Sequence, residues 1–324
     1  MSSASLLDLD RRPGAPAMLR AAAGDPVQWA SEHRTVLRAA VAEHGAVLVR
    51  GLGLNDRAEV AAVFGRLTDG LMTETEAFAP RHRLVSGTYS STPWPADQAM
   101  GMHHEQSYTV EVPGLMLFAC LTAPAQGGAT ALADGSAVLE ALPADLVARF
   151  ERDGWLLTRS YNHQIGTSFV EAFGTNNLAG VARYCRAYAI ECAWQADGGL
   201  RTLQRRPAVV RHPVTGRRCW FNQVAFLSKW TLPPDLREYL VEVYGEDGLP
   251  FDTRYGGGDA IGDDVVTLVN DVYETHTVRE PWRAGDLMLV DNIRTAHSRE
   301  RYTGSREVVV GMADPVRAAD LATV

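Results

Sequence analysis

Strands near both ends of the chain and helices through its middle predict an α+β protein built on one β core. Short apolar runs at Ala46–Val49, Leu115–Leu121 and Leu287–Val290, with Val308–Val310 beyond, have strand length and composition. Helical spacing is concentrated between them. No internal repeat, low-complexity tract or linker interrupts the 324 residues.

The elements follow in order. Asp25-Pro26 reads as an N-cap with proline in the first turn, and the apolar spacing carries a helix to Glu43, where Gly45 stops it. Asn55 is the expected cap of a second amphipathic helix ending near Leu67. Arg81 to Tyr108 reads as loop, with Ser, Thr, Pro and Asp clustered around Ser90 to Gln98. Gly127-Gly128 is a turn leading into a strand over Ala129–Ala133. Helices are expected at Ala137–Arg152, Pro233–Tyr244 and Asp263–Tyr273. Arg206 to Pro213, the turn at Thr215-Gly216 and Cys219-Trp-Phe form a hairpin. The strands at Gly285–Asp291 and Arg306–Met312 are joined by a polar loop.

The composition narrows the function. Hydrophobic residues make up 46% and charged residues 22%, as in ordinary globular proteins, and the length permits a sizeable core. A net charge of -8 without a dense Lys/Arg block argues against nucleic acid or an anionic membrane as partner. Lys229 is the only lysine, so the basic chemistry is arginine, which suits bidentate carboxylate binding. No stretch reaches the ~18 apolar residues of a membrane span. The opening segment lacks the basic start and apolar run of an export signal. Four cysteines without CxxC spacing disfavour a zinc module and suit reduced thiols, so a cytoplasmic location is expected.

The chemistry concentrates at Met102-His103-His104-Glu105-Gln106. On extended backbone residues i and i+2 share a face, so His103 and Glu105 converge while His104 points away. His-x-Glu alone is a weak metal signal, and a third ligand is needed. His33, His44, His82 and His276 read as solvated; His163 and His212 remain candidates. His297 stands out because it follows a strand and a polar turn, with Arg306 nine residues on. Two histidines and one carboxylate leave three positions open on iron, the arrangement of oxygen-activating non-haem Fe(II) sites. Arg306 would then anchor the distal carboxylate of an organic acid. The alternative for Arg306 is an ion pair with Glu307 or Asp291.

Several motifs in one order sharpen this. They are Tyr89-Ser-Ser-Thr-Pro-Trp-Pro-Ala-Asp-Gln98, His103-His-Glu-Gln-Ser-Tyr108, Gly127-Gly-Ala-Thr130, Arg206 through Pro213, and Trp220-Phe-Asn-Gln223. Gly285-Asp-Leu-Met-Leu-Val-Asp-Asn292, Ala296-His297 and Gly304-Ser-Arg306 complete the set. In these the chain resembles the TauD/TfdA superfamily of Fe(II)/2-oxoglutarate dioxygenases, most closely its SyrP-like branch, over roughly Arg38 to Asp314.

The resemblance implies a double-stranded β-helix (jelly-roll) core with flanking helices. The whole of 1–324 would be a single domain, with a long insertion at approximately 135–280 between the metal-binding strands. It implies His103, Glu105 and His297 as the Fe(II) ligands, and Thr130 and Arg306 as the pair holding 2-oxoglutarate, with O2 as second co-substrate. His104, where relatives often carry Asn, and Arg301, where they carry Pro, depart from the pattern. The carboxylate of Glu105 argues against halogenation, because halogenating relatives replace it with Ala or Gly. The branch implies an amino-acid-like substrate in specialised metabolite (antibiotic) biosynthesis, free or tethered to a carrier protein, and homo-oligomers are common in the family. Gln98, Asn222 and Arg206 are candidates for substrate contacts, against the alternative that buried backbone satisfies them. Hydroxylation is expected, with desaturation or epoxidation as other outcomes. A zinc hydrolase with the same ligands, or a non-catalytic jelly-roll binding protein, are the readings from other classes.

Overall fold

The structure is a computed structural model that describes residues 9–22, 24–79, 81–162 and 164–321. Its centre is a six-stranded sheet in the order Ala17–Arg20, Ala46–Arg50, Leu287–Asp291, Glu111–Thr122, Glu307–Arg317, Tyr89–Ser90. The outermost pair, Ala17–Arg20 and Ala46–Arg50, is parallel; the other pairings are antiparallel.

The continuous apolar runs are explained by burial on both faces of this sheet. Leu115, Leu117 and Ala119 turn to one side, where Val47, Val49, Leu287, Leu289 and Val309 join them under the helices Pro26–His44 and Arg57–Leu67. Met116, Phe118 and Cys120 turn to the other, with Leu48, Met288, Val290, Val308 and Val310. Leu132 closes that second layer from a four-stranded sheet ordered Thr277–Val278, Thr130–Asp134, Thr295–Arg299, Met100–His103. The far face of the second sheet packs Ala131, Ala133 and Ala296 against Val138 and Leu139 of the helix Gly135–Ala141 and against Val266 and Val269 of Asp263–Thr275. Between Asp134 and Thr277 the chain adds helices, the hairpin Val209–Arg211/Arg218–Trp220 and a sheet ordered Phe251–Tyr255, Trp155–Tyr161, Leu200–Arg206, Glu191–Trp194. No helix of the described residues is long and apolar enough to cross a membrane.

Four expectations are corrected. The cap of the second helix is Asp56, whose carboxylate accepts from the N–H groups of Ala58 and Glu59; Asn55 instead donates its N–H to Glu59. The helix expected over 137–152 is two, Gly135–Ala141 and Ala144–Asp153, because Pro143 drives Leu142 out of helical geometry to ψ 148°. The supposed loop 81–108 contains the strands Tyr89–Ser90 and Met100–His103. The polar loop before Arg306 contains the strand Thr295–Arg299.

The helix Arg57–Leu67 seats closely because Gly311 has no side chain: a Cβ there would lie 2.6 Å from Cδ2 of Phe64. Gly311→Ala should therefore lower stability by about 1–3 kcal/mol through overpacking. An unchanged urea-unfolding midpoint would show that the helix can shift at no cost.

Candidate metal centre

His103 ends the strand Met100–His103, and His297 is its direct partner on Thr295–Arg299, with the register shifting immediately beyond, between His297 and Arg299. Cross-strand neighbours bring their side chains together, and the two ring centroids are 4.4 Å apart. Phe226 stacks on His103 at 4.7 Å and Phe118 packs its ring against His297 at 5.2 Å, fixing both imidazoles. Nδ1 of His103 lies 2.8 Å from the Gly101 carbonyl. A carbonyl only accepts, so that nitrogen carries the proton and Nε2 keeps its lone pair for a metal.

Glu105 sits just past the strand end, in a turn where Gln106 has φ 52°. Its backbone is held by Asn292, whose Oδ1 accepts from the Glu105 N–H (2.8 Å) and whose Nδ2 donates to the carbonyls of Glu105 (3.0 Å) and Pro113 (2.8 Å). His103, Glu105 and His297 each offer a ligand atom, and these atoms lie within 4.8 Å of one another, all buried. His104 points away, as its place in the pattern requires, and Nδ1 donates to the Asn292 carbonyl. Burial takes its pKa down to about 4.

Electrostatics suit a cation. Burial above all, opposed by the Glu105 carboxylate, keeps His103 below its ordinary value. Burial, with His103 and Arg81 adding to it, does so more strongly for His297. Both imidazoles are thus unprotonated donors. Burial pushes Glu105 up, but the Arg81 guanidinium and His103 outweigh it and hold the carboxyl below its usual range. Nδ1 of His297 is buried and has no partner among the described residues. Two imidazoles and a carboxylate whose ligand atoms lie within 4.8 Å of one another are the donor set that suits Fe(II).

Thr130 and Arg306 line the same cavity as His103 and His297, along with Ser91 and Arg81. Trp282 donates its indole N–H to Thr130 Oγ1 (3.2 Å). Arg306 donates Nε to the Gly128 carbonyl (3.0 Å) and Nη1 to Ser91 Oγ (3.2 Å), and forms no salt bridge among the described residues. Both partners of its alternative reading are engaged elsewhere: Glu307 with Arg57 at 2.7 Å and Asp291 with His212 at 2.8 Å. Burial first, and Arg299 second, lower its pKa to about 10, so the guanidinium remains charged at neutral pH. The cavity thus contains a charged guanidinium without an anion.

The three candidate substrate contacts lie elsewhere. Gln98 is exposed, and its carbonyl accepts from Arg299. Asn222 is buried, donating to the Ala208 carbonyl and accepting from the Val224 N–H. Arg206 donates to the carbonyls of Tyr108, Tyr188, Ala189 and Arg205. Most of the polar capacity of Asn222 and Arg206 goes to backbone groups, because irregular backbone has to be satisfied. His212 accepts two N–H groups at Nδ1 and meets Asp291 through Nε2, so it is no metal ligand. His82 is exposed, while His33, His44 and His276 are half-buried; His163 lies outside the described residues. Arg301 is exposed.

Arg81, Asn292 and Trp282 were not singled out by the sequence as site residues. Asn292 alone left a signal, a lone amide closing an apolar strand. Asn292→Ala removes three buried hydrogen bonds and should cost roughly 3 kcal/mol, read from the midpoint of urea unfolding. A loss below ~1 kcal/mol would mean that water replaces the amide.

The chain is similar to known proteins over most of its length. The family model described as "Taurine catabolism dioxygenase TauD, TfdA family" matches residues 10–312. The dapdiamide synthesis protein DdaC of Enterobacter agglomerans is 34% identical over 276 residues, covering 85% of this chain and 84% of that protein. Among solved structures, a taurine dioxygenase from Burkholderia xenovorans superposes with TM-score 0.52 at 16% identity, covering 98% of this chain and 95% of its own. PvcB from Pseudomonas aeruginosa gives 0.52 at 15% identity, with 95% and 90% covered.

Proposed function

Because the chain belongs to the TauD/TfdA family and is an iron(II)- and 2-oxoglutarate-dependent dioxygenase, we propose that it hydroxylates an unactivated C–H bond of an amino-acid-like substrate. The observation that carries the site assignment is the unpaired guanidinium of Arg306 in the cavity lined by His103 and His297. In this reading His103, Glu105 and His297 hold Fe(II) on one side and leave three positions open. Thr130 and Arg306 hold the distal carboxylate of 2-oxoglutarate. Arg306 is pre-oriented by Gly128 and Ser91, so its remaining N–H donors meet the acid with little further ordering. Trp282 occupies an acceptor site of the Thr130 hydroxyl, which leaves that hydroxyl's proton for the carboxylate.

With 2-oxoglutarate and O2, bound iron supplies the power to oxidise the C–H bond, releasing succinate and CO2. The chain's own part is to bind, orient and exclude water. A zinc hydrolase would have no use for Arg306 and Thr130 beside the metal, so their placement favours the oxygenase. The two facing sheets are read as the jelly-roll core, with residues 135–280 inserted in a single domain. The role of DdaC in dapdiamide synthesis supports a substrate from specialised metabolism, free or carrier-bound. Cys120, Cys185, Cys192 and Cys219 are free, which fits a reducing cytoplasm. Desaturation or epoxidation would use the same residues, and product mass separates oxygen insertion from loss of two hydrogens.

The test is an anaerobic titration of metal-free protein with Fe(II) and then 2-oxoglutarate. A weak visible charge-transfer band should appear, and His297→Ala should abolish it. Arg306→Gln should raise the 2-oxoglutarate requirement about 10- to 100-fold, since a charged hydrogen bond of roughly 1.5–3 kcal/mol is lost, with iron still bound. Unchanged 2-oxoglutarate affinity in that variant would sink the assignment of Arg306.

A further inference from the structure

We infer that Arg81 is a positioning residue for the metal's carboxylate ligand, its guanidinium fixing the orientation of the Glu105 carboxylate beside His297. The inference rests on the reading that His103, Glu105 and His297 hold iron. Glu105 lies beyond the end of its strand, and Asn292 fixes only its backbone. The terminal torsion of a glutamate is broad, so backbone placement does not orient the carboxylate. Arg81 does so: Nη2 donates to Oε2 of Glu105 at 2.6 Å.

Arg81 is itself immobilised. Nη1 lies 3.3 Å from Oε1 of Glu74, Nε donates to Thr92 Oγ1 at 3.0 Å, and its backbone N–H donates to Oε2 of Glu74 at 3.3 Å. The three charged side chains are each nearly buried, at 8% exposed for Arg81, 9% for Glu105 and 12% for Glu74. Glu74 matters because it meets the guanidinium at a second nitrogen and also accepts the Arg81 backbone N–H, so the fork is held from two sides.

The segment that delivers this pair is anchored from the inserted sheet. Arg159 donates to the carbonyls of Glu76 (2.8 Å) and Ala77 (2.9 Å) and lies over the Phe78 ring at 3.7 Å. Glu76, at φ 55°, is buried and accepts from the Tyr184 hydroxyl (2.8 Å) and the Gln204 amide. The insertion thus fixes the segment leading to Arg81, and Arg81 fixes the ligand.

The experiment compares full-length wild type, Arg81→Met, Arg81→Lys and Glu74→Gln by anaerobic Fe(II) titration, the 2-oxoglutarate charge-transfer band and thermal melting. Arg81→Met should weaken Fe(II) binding about 10- to 100-fold, as loss of partners behind metal ligands does, and should shift the band. Arg81→Lys should recover part of the affinity, since it restores the charge without the planar fork. Glu74→Gln should also weaken Fe(II) binding, because the guanidinium loses its second carboxylate anchor. Wild-type affinity and an unshifted band in Arg81→Met would overturn the inference while wild-type binding, abolished in His297→Ala, left the iron assignment standing. If Arg81→Met fails to fold, Glu74→Gln decides: unchanged affinity there overturns the inference. No Fe(II) binding by wild type would instead overturn the iron reading, and this inference with it.

Discussion

His103 and His297 come from opposite ends of the chain and meet because Met100–His103 and Thr295–Arg299 pair antiparallel in one register. Side chains alternate along a strand, so a slip of one residue would turn His297 to the other face and leave Glu105 with a single imidazole. The register is therefore the constraint from which the site follows. Several features pin it. Thr295–Arg299 is also paired along its other edge with Thr130–Asp134, and Asn292 ties the turn before that strand to the backbone of Glu105. The same pairing carries Thr130 into the cavity, so its hydroxyl and both imidazoles are placed by one sheet.

That sheet can be polar inside because its surroundings are not. The large sheet buries both faces with aliphatic residues, and Phe118 and Phe226 cover the imidazoles from two sides. Removing water from the histidines keeps them unprotonated, and the guanidinium of Arg81 keeps Glu105 ionised. Burial alone would push the carboxyl above its usual range. The donor set is thus a product of packing and one ion pair together.

The elements legible in the sequence are those with periodic or capped signals. The helix Pro26–His44 declared both ends through Asp25, Pro26 and Gly45, and the strands of the large sheet showed as apolar runs. Thr295–Arg299 did not, because Thr-Ala-His-Ser-Arg has no apolar alternation; it is a strand on account of its two neighbours. His103, Glu105 and His297 were found through spacing and motif order. Arg81 was not, since a residue in a Pro- and Ser-rich segment gives no hint of which distant carboxylate it will meet. Arg206 and Asn222 misled for the converse reason. Polar groups on a hairpin look available in sequence, yet here four carbonyls hold the guanidinium and two backbone groups hold the amide.

Two of the three arginines lining the cavity, Arg81 and Arg306, differ in their partners. Arg81 lies between two carboxylates, Glu74 and Glu105. Arg306 has only neutral partners, Gly128 and Ser91. One end of the cavity presents the imidazoles of His103 and His297, with the Glu105 carboxylate beside them, a set that attracts a divalent cation. The other presents a guanidinium and a hydroxyl, which attract a carboxylate. A simple monoacid could satisfy only one of these ends. A keto diacid satisfies both, chelating a metal with one terminus and meeting Arg306 with the other. Its reversal gains nothing, because the far carboxylate has no adjacent keto group with which to chelate. In the proposed reading, the polarity of the cavity would set the direction in which 2-oxoglutarate lies.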